Sequence, residues 1–158
     1  MSLRAAVVTV SDRSSRGERA DTSGPAAVAA LREGGFDCDD AVVVPDGADS
    51  VEQTLRSIVA TGAALIVTTG GTGLSPRDQT PEGTARVIER EVPGIAEELR
   101  RLGVTQKPAA MLSRGLAGAA GATLIVNLPG SSAAVRSGMP VILSVAAHVA
   151  DQLSGGDH

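Results

Sequence analysis

The sequence has no tryptophan, no tyrosine and only one phenylalanine among its 158 residues. Proteins that hold single-stranded nucleic acid stack the bases on aromatic side chains, which this chain almost entirely lacks. Its formal net charge of −4 also excludes the basic surface that phosphate backbones require. We therefore expect no nucleic-acid partner. A planar heterocyclic ligand would have to be held by backbone groups, aliphatic side chains or the planes of arginine side chains.

Cysteine is equally scarce, and apolar runs of membrane-spanning length are missing. Cys38 is the single cysteine, so no internal disulfide can form, which fits the reducing cytosol. It lies in the largely apolar stretch 36–44, and we interpret it as a small core residue rather than a nucleophile. The first residues lack the apolar segment of a signal peptide. With 42% hydrophobic residues, we expect one soluble cytoplasmic domain over residues 1–158, without a membrane partner.

Two common phosphate-binding motifs are also missing. The single lysine, Lys107, stands in Thr-Gln-Lys-Pro, so the chain contains no P-loop of the form Gly-x-x-x-x-Gly-Lys-Ser/Thr. No Gly-x-Gly-x-x-Gly follows a predicted strand, so the dinucleotide-binding fingerprint of NAD-binding domains is absent as well.

What the chain does contain is a polar, glycine-rich stretch at residues 68–82, with the sequence Thr-Thr-Gly-Gly-Thr-Gly-Leu-Ser-Pro-Arg-Asp-Gln-Thr-Pro-Glu. It follows an apolar run at 63–67 that is typical of a buried strand. It ends in a typical helix start, with Thr80 as the N-cap and Pro81 in the first helical position. Glycine lets the backbone turn sharply and bring its N–H groups close to an anion. A glycine loop between a strand and a helix therefore indicates a phosphate site.

The alternative is that this stretch is only a tight turn before a capped helix. For Gly-Gly-Thr-Gly alone the two interpretations are about equally good, because short glycine motifs are common. Arg77 and Asp78 favour the phosphate site, since neither serves an obvious purpose in a turn. Asp78 would add a carboxylate beside the phosphate, where Mg²⁺ is normally needed.

Strand-like and helix-like patterns alternate along the chain, which predicts a doubly wound α/β fold. Near-continuous apolar runs are typical of strands buried on both faces of a parallel sheet. We predict strands at 3–10, 41–44, 63–68 and 122–127, an edge strand at 113–116, and helices at 26–33, 50–61, 80–91, 95–102 and 141–153, with a helix break at 138–140. Ser50 and Gln53 are expected to form a capping box. The expected architecture is a three-layer α/β/α sandwich around a mainly parallel sheet.

Polar residues follow each predicted strand, at 11–21, 45–46, 68–78 and 127–131. In an open α/β sheet these strand ends meet at one edge, where ligands bind. Taken singly, several of these residues have structural alternatives. Asp12 and Asp21 are more simply a turn residue and a helix-cap neighbour, Asp46 lies in the turn signal Pro-Asp-Gly, and Ser131 can cap the helix that follows. His148 is expected on a polar helix face at the surface.

Together these motifs resemble the molybdopterin adenylyltransferase family of molybdenum-cofactor biosynthesis, of the MogA/MoaB type, and the matching domain of gephyrin-like proteins. The resemblance covers essentially the whole chain and depends most on residues 68–82 and on Asn-Leu-Pro-Gly-Ser at 127–131. It also includes Val-Ser-Asp-Arg at 10–13, Asp-Thr-Ser-Gly at 21–24, Pro-Asp at 45–46, Val-Pro-Gly at 92–94 and Leu-Ser-Arg at 112–114. One departure is Ser132, where many relatives have proline.

The resemblance implies a molybdopterin-binding Rossmann-like fold and the transfer of AMP from ATP to the terminal phosphate of molybdopterin, with Mg²⁺ as the cofactor. It also implies a homotrimer, with molybdopterin synthase and a molybdenum-insertion protein as pathway partners. Two other functions stay open. One is a trimer that binds molybdopterin without catalysis, and the other is a nucleotide hydrolase of the competence-damage type. The hydrolases diverge around Ser-Pro-Arg-Asp and Asn-Leu-Pro-Gly-Ser, both of which are intact here.

Carried over residue by residue, the resemblance places Asp46 and Asp78 at the reaction centre, as catalytic residues and as ligands of Mg²⁺. It places Ser131 and its neighbours on the nucleotide side of the pocket. Arg77 is expected to face the phosphates together with backbone N–H groups of the glycine loop. The residues predicted to bind molybdopterin or the nucleotide are Ser11, Asp12, Thr69, Gly70, Gly71, Thr72, Gly73, Ser75, Arg77, Asn127, Pro129, Gly130 and Ser131.

Overall fold

The computed structural model describes residues 2–156, so the predicted domain bounds of 1–158 extend beyond it at both ends. The described residues form one seven-stranded sheet flanked by helices. The strands are β1 (Arg4–Val10), β2 (Asp37–Cys38), β3 (Val42–Val44), β4 (Leu65–Thr69), β5 (Arg90–Glu91), β6 (Ala117–Ala120) and β7 (Thr123–Leu128). The helices are α1 (Asp12–Ser15), α2 (Ser23–Glu33), α3 (Ala48–Val59), α4 (Thr80–Ala85), α5 (Pro93–Val104) and α6 (Ser132–Leu153), with a 3-10 helix at Pro108–Leu112.

The sheet is mainly parallel, as the sequence predicts. Its strand order is β2-β1-β4-β7-β6-β5, and β3 also pairs with β1. All pairs among β1, β2, β3, β4 and β7 are parallel, whereas β6 is antiparallel to β7 and to β5. The fold class predicted from the alternating pattern is therefore confirmed.

The central strands are apolar throughout because both faces of the sheet are covered. Leu65 and Val67 of β4 belong to a core cluster that includes buried side chains of α2, α5 and α6. Ile66, which lies between them in the chain, belongs to a second cluster that includes Val51 and Leu55 of α3. Successive side chains of a strand point to opposite faces, so a strand covered on both sides needs apolar residues at every position.

The parallel pairing places four strand ends side by side. Thr9 near the end of β1 pairs with Thr69 at the end of β4, and Thr69 pairs with Leu128 at the end of β7. Val10 pairs with Val44 at the end of β3. The polar loops that follow these strands therefore leave the sheet at one edge, as expected.

The predicted helix at 80–91 is too long, and the predicted edge strand at 113–116 is wrong. The helix ends at Ala85, and residues 90–91 form β5 instead, paired with β6. The strand begins only at Ala117. Its residues are small because the segment that contains Ile88 packs closely against it: a Cβ added to Gly118 would lie 2.5 Å from the Ile88 side chain. A strand made of alanine and glycine lacks the β-branched pattern that marks strands in a sequence.

Two helix boundaries also differ from expectation. The predicted break at 138–140 does not occur, because α6 is one continuous helix of 22 residues with Pro140 inside it. Gly138 serves close packing instead, since a Cβ there would lie 2.7 Å from the side chain of Leu128. Helix α3 begins at Ala48 with Gly47 as its N-cap, so the predicted Ser50 capping box is wrong; the Ser50 hydroxyl donates to the carbonyl oxygen of Pro45 at 2.9 Å.

Helix α6 is long and apolar enough to cross a membrane by length and composition, which differs from the expectation that no such stretch exists. Its side chains Val135, Met139 and Ile142 are buried in the core cluster that includes α2 and α5. A core helix passes the same length and hydropathy criteria, so this helix alone is weak evidence for a membrane span.

Cys38 and His148 have the environments that the sequence predicts. The Cys38 side chain is buried, and burial raises the pKa of its thiol, which leaves it in the unreactive protonated form. His148 is exposed on α6, with its Nε2 3.0 Å from Nε2 of Gln152.

Candidate functional site

A polar cleft of about 310 Å³ opens at the sheet edge where β1, β3, β4 and β7 end. Nine of the predicted site residues line it: Ser11, Asp46, Thr69, Gly70, Gly71, Thr72, Gly73, Asp78 and Gly130. Residues from four separate loops thus meet in one cavity.

The first two loop glycines have backbone conformations and surroundings that exclude a side chain. Gly70 and Gly71 have φ values of +95° and +68°. A Cβ on Gly70 would lie 2.3 Å from the carbonyl oxygen of Val10, and one on Gly71 would lie 2.2 Å from Oγ1 of Thr80. The loop must therefore pass directly over the end of β1, which brings its backbone into the cleft.

Thr80 anchors this loop rather than capping α4. The N-cap is Gln79, and the buried Thr80 hydroxyl donates to the carbonyl oxygen of Gly70 at 2.9 Å. The backbone N–H of Thr80 donates to the carbonyl oxygen of Gly71 at 3.0 Å. The predicted N-cap role of Thr80 is therefore wrong, because the start of α4 is tied to the glycine loop instead.

Asp46 is held by a reciprocal pair of hydrogen bonds with Asp12. The N–H of Asp12 donates to Oδ2 of Asp46 at 2.9 Å, and the N–H of Asp46 donates to Oδ1 of Asp12 at 3.1 Å. The other Asp46 oxygen, Oδ1, faces the glycine loop, 3.2 Å from the position that a Cβ on Gly71 would occupy. Burial raises the pKa of Asp46, and the negative charges of Asp12 and Asp78 raise it further.

Arg77 does not face the cleft as an unpaired cation. Its Nε and Nη2 donate to the two carboxylate oxygens of Asp12, each at 3.0 Å, and Nη2 also donates to the carbonyl oxygen of Asp46 at 3.0 Å. The bond from Arg77 lowers the pKa of Asp12. Asp12, Ser75 and Arg77 line neither this cleft nor the cavity described below. Arg77 thus joins the glycine loop to the Asp12 and Asp46 loops, and its predicted contact with a phosphate stays a prediction.

Asp78 lies at the cleft on a turn that closes on itself. The N–H of Ser75 donates to Oδ2 of Asp78 at 3.1 Å, and the N–H of Asp78 donates to the carbonyl oxygen of Ser75 at 2.9 Å. Within the described part of the chain, no side chain or N–H group is hydrogen-bonded to Oδ1 of Asp78. One oxygen of Asp78 is therefore left for a ligand, as is Oδ1 of Asp46.

A second, larger cavity of about 540 Å³ lies on the other side of the glycine loop. Thr72 and Gly73 line both cavities, so the loop separates them. Its walls include apolar side chains such as Leu99 and Leu128, with the polar side chains of Arg100 and Lys107. The predicted site residues that line it are Thr72, Gly73, Asn127, Pro129 and Ser131.

Asn127 and Ser131 both make internal hydrogen bonds. The side-chain amide of Asn127 is buried, with Nδ2 donating to the hydroxyls of Thr68 and Thr84 and Oδ1 accepting the N–H of Leu116. Its donors and its acceptor oxygen are thus used in joining β7 to β4 and α4. Ser131 caps α6 by accepting the N–H of Ala134 at 3.1 Å, which is the structural alternative for this residue.

Six polar residues at the cleft fell outside the predicted site. Thr9 lines it from β1, Ser23 from the start of α2, and Ser14, Arg19, Asp21 and Thr22 from the segment between them. Asp21 accepts the N–H of Gly24 at the start of α2, which agrees with its interpretation as a helix-cap neighbour. Arg19 is an exposed guanidinium at an otherwise acidic cleft, and no motif marks its position. Only its place after a strand end, within the polar stretch 11–21, could have indicated it.

The donor set at the cleft fits Mg²⁺ better than a metal held by protein alone. Among residues 2–156, no three His, Cys, Asp or Glu side chains are grouped closely enough to hold an ion. Mg²⁺ typically takes one or two carboxylates and completes its coordination with water and substrate phosphate. Asp46 and Asp78 each offer one oxygen at the cleft, and burial, followed by the negative charges of Asp12 and Asp78, raises the pKa of Asp46.

Known proteins that are similar to the chain have molybdenum-cofactor names. A bifunctional molybdenum cofactor biosynthesis protein of Synechococcus elongatus is 38% identical over 154 residues, covering 98% of this chain and 48% of that protein. The chain thus spans about half the length of the bifunctional relatives that it matches. A molybdopterin adenylyltransferase of Haemophilus influenzae is 38% identical over 137 residues, covering 85% of this chain and 70% of that protein.

The structure and a family model agree with these sequence matches. The molybdopterin biosynthesis Mog protein of Mycobacterium ulcerans has a TM-score of 0.91 at 40% identity, covering 98% of this chain and 99% of that chain. The family model described as "Probable molybdopterin binding domain" matches residues 6–148, which include all the strands after the first two residues of β1 and all the loops of the cleft. The chain therefore belongs to the family of probable molybdopterin-binding domains of molybdenum cofactor biosynthesis.

Proposed function

We propose that this protein transfers AMP from ATP to the terminal phosphate of molybdopterin and releases pyrophosphate. The observation that carries the proposal is the placement of Asp46 and Asp78 at a polar cleft that adjoins a larger, apolar-walled cavity, with Thr72 and Gly73 of the glycine loop lining both. A reaction between two phosphate-bearing substrates needs two adjoining sites whose phosphate ends meet. The names of the adenylyltransferase relatives support the same reaction.

The character of the two cavities suggests which substrate each one takes. Molybdopterin has a fused ring system and two sulfur atoms, which suit the larger cavity with its apolar walls. The polyphosphate of ATP suits the polar cleft, where backbone N–H groups and Arg19 are available. Ser131 lines the larger cavity, so we place it on the pterin side rather than on the nucleotide side that the resemblance implied.

The chain's own groups position the reaction rather than form a covalent bond. An oxygen of the molybdopterin phosphate attacks the α-phosphorus of ATP, and the bond from that phosphorus to the bridging oxygen of pyrophosphate breaks. The attacking phosphate is already ionised, so no general base is required. Asp46 and Asp78 would hold Mg²⁺, which would neutralise charge on the phosphates. The glycine-loop backbone would orient the two phosphate ends toward each other.

The wider setting of the protein remains part of the proposal. We extend it to a homotrimer of a single domain in the cytoplasm. In that setting molybdopterin synthase would supply the pterin, and a molybdenum-insertion protein would receive the adenylylated product. These statements depend on the family resemblance. Light scattering after size-exclusion chromatography tests the proposed homotrimer, because it measures the number of subunits directly.

The first test is an adenylylation assay with purified protein, molybdopterin, ATP and Mg²⁺, in which the adenylylated pterin is quantified. We expect turnover by the wild type. The rate of AMP transfer should fall about 100-fold or more in Asp78→Asn and in Asp46→Asn, because each substitution removes a charged carboxylate that would hold Mg²⁺ beside the phosphates. Asp49→Asn is the matched control, since Asp49 is an exposed ion-pair partner of Arg86 on α3. Molybdopterin binding without product would replace the enzyme with the non-catalytic binding protein.

A further inference from the structure

Arg114, which precedes β6, contacts the glycine loop at three points, although no motif-based expectation gave it a role. Its backbone N–H donates to the carbonyl oxygen of Thr72 at 2.8 Å. Its Nε donates to the carbonyl oxygen of Gly73 at 2.9 Å, and its Nη2 donates to that of Asp78 at 2.7 Å. One guanidinium thus bonds to both ends of the segment 73–78, which carries a proposed catalytic carboxylate.

This segment depends on such contacts because it has few of its own. The hydrogen bonds between Ser75 and Asp78 close the turn on itself but do not fix it to the rest of the fold. Two arginines do so from opposite directions. Arg77 extends from the turn to Asp12, and Arg114 extends into it from residues 113–115. The position of the Asp78 carboxylate relative to the cleft therefore depends on these guanidinium groups.

Arg114 is itself held on both sides. Nη1 of Arg100, on α5, donates to the carbonyl oxygen of Ser113 at 3.2 Å and to that of Gly115 at 2.9 Å. Nη1 of Arg114 forms an ion pair with Glu82 of α4, and its side chain is only 33% exposed. A side chain with its backbone fixed and its guanidinium bound at three acceptors has one conformation, which is what a rigid support for a catalytic group requires.

We propose that Arg114 is a positioning residue that sets the Asp78 carboxylate at the cleft by holding the carbonyl groups of Gly73 and Asp78. The inference rests on the proposed function for its effect on turnover, but its effect on the loop is independent of any activity. The planar guanidinium reaches both carbonyl groups at once, whereas the single ammonium of a lysine cannot match that geometry.

The experiment compares Arg114→Met and Arg114→Lys with the control Arg101→Met, in which an exposed arginine paired with Glu98 on α5 is removed. Steady-state AMP transfer gives kcat and KM, and hydrogen–deuterium exchange by mass spectrometry reports on residues 72–78. We expect Arg114→Met to lower kcat by about 10- to 100-fold, in the range seen for groups that orient catalytic residues. KM for molybdopterin should stay within about threefold, and Arg114→Lys should recover part of the lost kcat. Deuterium uptake at 72–78 should rise in both Arg114 variants and stay unchanged in Arg101→Met.

A fourth variant, Glu82→Gln, separates the ion pair from the carbonyl contacts. It removes the charge that faces Arg114 but leaves the acceptors at Gly73 and Asp78, so the changes in turnover and uptake should be much smaller than those in Arg114→Met. An effect as large as that of Arg114→Met would overturn the inference, since the ion pair rather than the carbonyl contacts would then be responsible.

The outcomes separate this inference from the proposed function. If the wild type makes no product, the proposed function fails, and deuterium uptake alone decides the role of Arg114. Unchanged uptake at 72–78 in Arg114→Met overturns the inference whether or not the protein is an enzyme. Should Arg114→Met not fold, Arg114→Lys takes its place, and wild-type kcat with wild-type uptake in that variant overturns the inference equally. A change in KM alone would also overturn it, because a positioning residue acts on the chemical step.

Discussion

At the scale of single residues, the Asp46 carboxylate at the cleft is oriented by a backbone N–H group. Asp12 and Asp46 each accept the other's N–H, although they are 34 positions apart in the chain. The arrangement holds Asp46 in one orientation and leaves Oδ1 facing the glycine loop. Arg77 compensates the charge of Asp12, while burial and neighbouring charges raise the pKa of Asp46. Asp12 therefore supports the site, and Asp46 is the group with capacity for a cation.

This division of roles predicts a graded response to loss of charge. Asp12→Asn keeps the backbone N–H that binds Asp46 but gives up the paired interaction with Arg77, so Asp46 and the Asp78 turn become less well oriented. We expect kcat for AMP transfer to fall about tenfold, which is typical for loss of a residue that orients a metal-binding side chain through a hydrogen bond. The loss should be clearly smaller than the loss in Asp46→Asn.

Glu18→Gln is the control for Asp12→Asn, because Glu18 is an exposed acid paired with Arg16 and the charge change is the same. If Asp12→Asn and the control have equal kcat, Asp12 has no part in orienting the site. Far-UV circular dichroism of each variant establishes that the fold is retained.

The Asp12–Arg77 contact also marks the limit of what the sequence reveals about the site. The polar strand-end loops were predicted, and so was their convergence, because parallel strands end at one edge. The partner of each side chain was not, since Asp12 and Arg77 lie 65 positions apart and nothing local to either one indicates the other. Arg77 was therefore assigned to a phosphate, and Arg114 was given no role.

At the scale of secondary-structure elements, the glycine loop is specified by sterics at the end of β1. Gly70 combines a positive φ with a backbone neighbour that cannot move, because Val10 is paired within the sheet to Val44. Gly35, after α2, has a similar φ of +92° but open space around it, with nothing within 4 Å of an added Cβ. A substitution at Gly35 therefore measures the free-energy cost of the backbone conformation alone, whereas one at Gly70 adds the cost of the steric collision.

We expect Gly35→Ala to lower the free energy of unfolding by about 1 kcal/mol, the usual cost of a left-handed conformation for a residue with a Cβ. Gly70→Ala should lower it by about 1–3 kcal/mol more, because the added carbon collides with the Val10 carbonyl oxygen and forces the backbone to shift. Urea denaturation of both variants measures the difference. Equal losses would mean that the loop over β1 can relax, and that Gly70 is required only for its φ.

Sequence patterns predicted the elements unequally, for physical reasons. Strands β1, β4 and β7 were found within two residues at each end, because burial on both faces makes them apolar runs. β6 was missed because a strand of alanine and glycine has no such signal, and β2 and β5 were missed because each is only two residues long. The continuation of α6 through Pro140 was missed because proline removes one helical hydrogen bond, a cost of about 3 kcal/mol that core packing of Met139 and Ile142 offsets.

At the scale of the whole molecule, the fold places negatively charged carboxylates at the same edge of the sheet where the proposed substrates would place their phosphates. The proposed reaction gathers several phosphate charges beside Asp46 and Asp78, in a protein whose net charge is already −4. Helix starts, loop N–H groups and Arg19 offset only part of this repulsion. A divalent cation would supply the additional positive charge, so we expect nucleotide binding itself, and not only the proposed catalysis, to depend on Mg²⁺.

The expected result is a thermal shift that ATP produces only with Mg²⁺. A ligand at 100 times its Kd stabilises the folded state by about 2.7 kcal/mol, and each kcal/mol raises Tm by roughly 2–4 °C in a chain of this size. A non-hydrolysable ATP analogue with Mg²⁺ should therefore raise Tm by about 5–10 °C, and excess EDTA should remove most of the shift.

Mg²⁺ alone should change Tm little, because no group of three described acidic, histidine or cysteine side chains can hold it without phosphate. Asp46→Asn should reduce the difference between the shifts with and without Mg²⁺, since one carboxylate no longer joins the ion to the protein. A shift of the same size in EDTA would show that the cleft binds the nucleotide through N–H groups and Arg19 alone, and would remove Asp46 and Asp78 from the metal site.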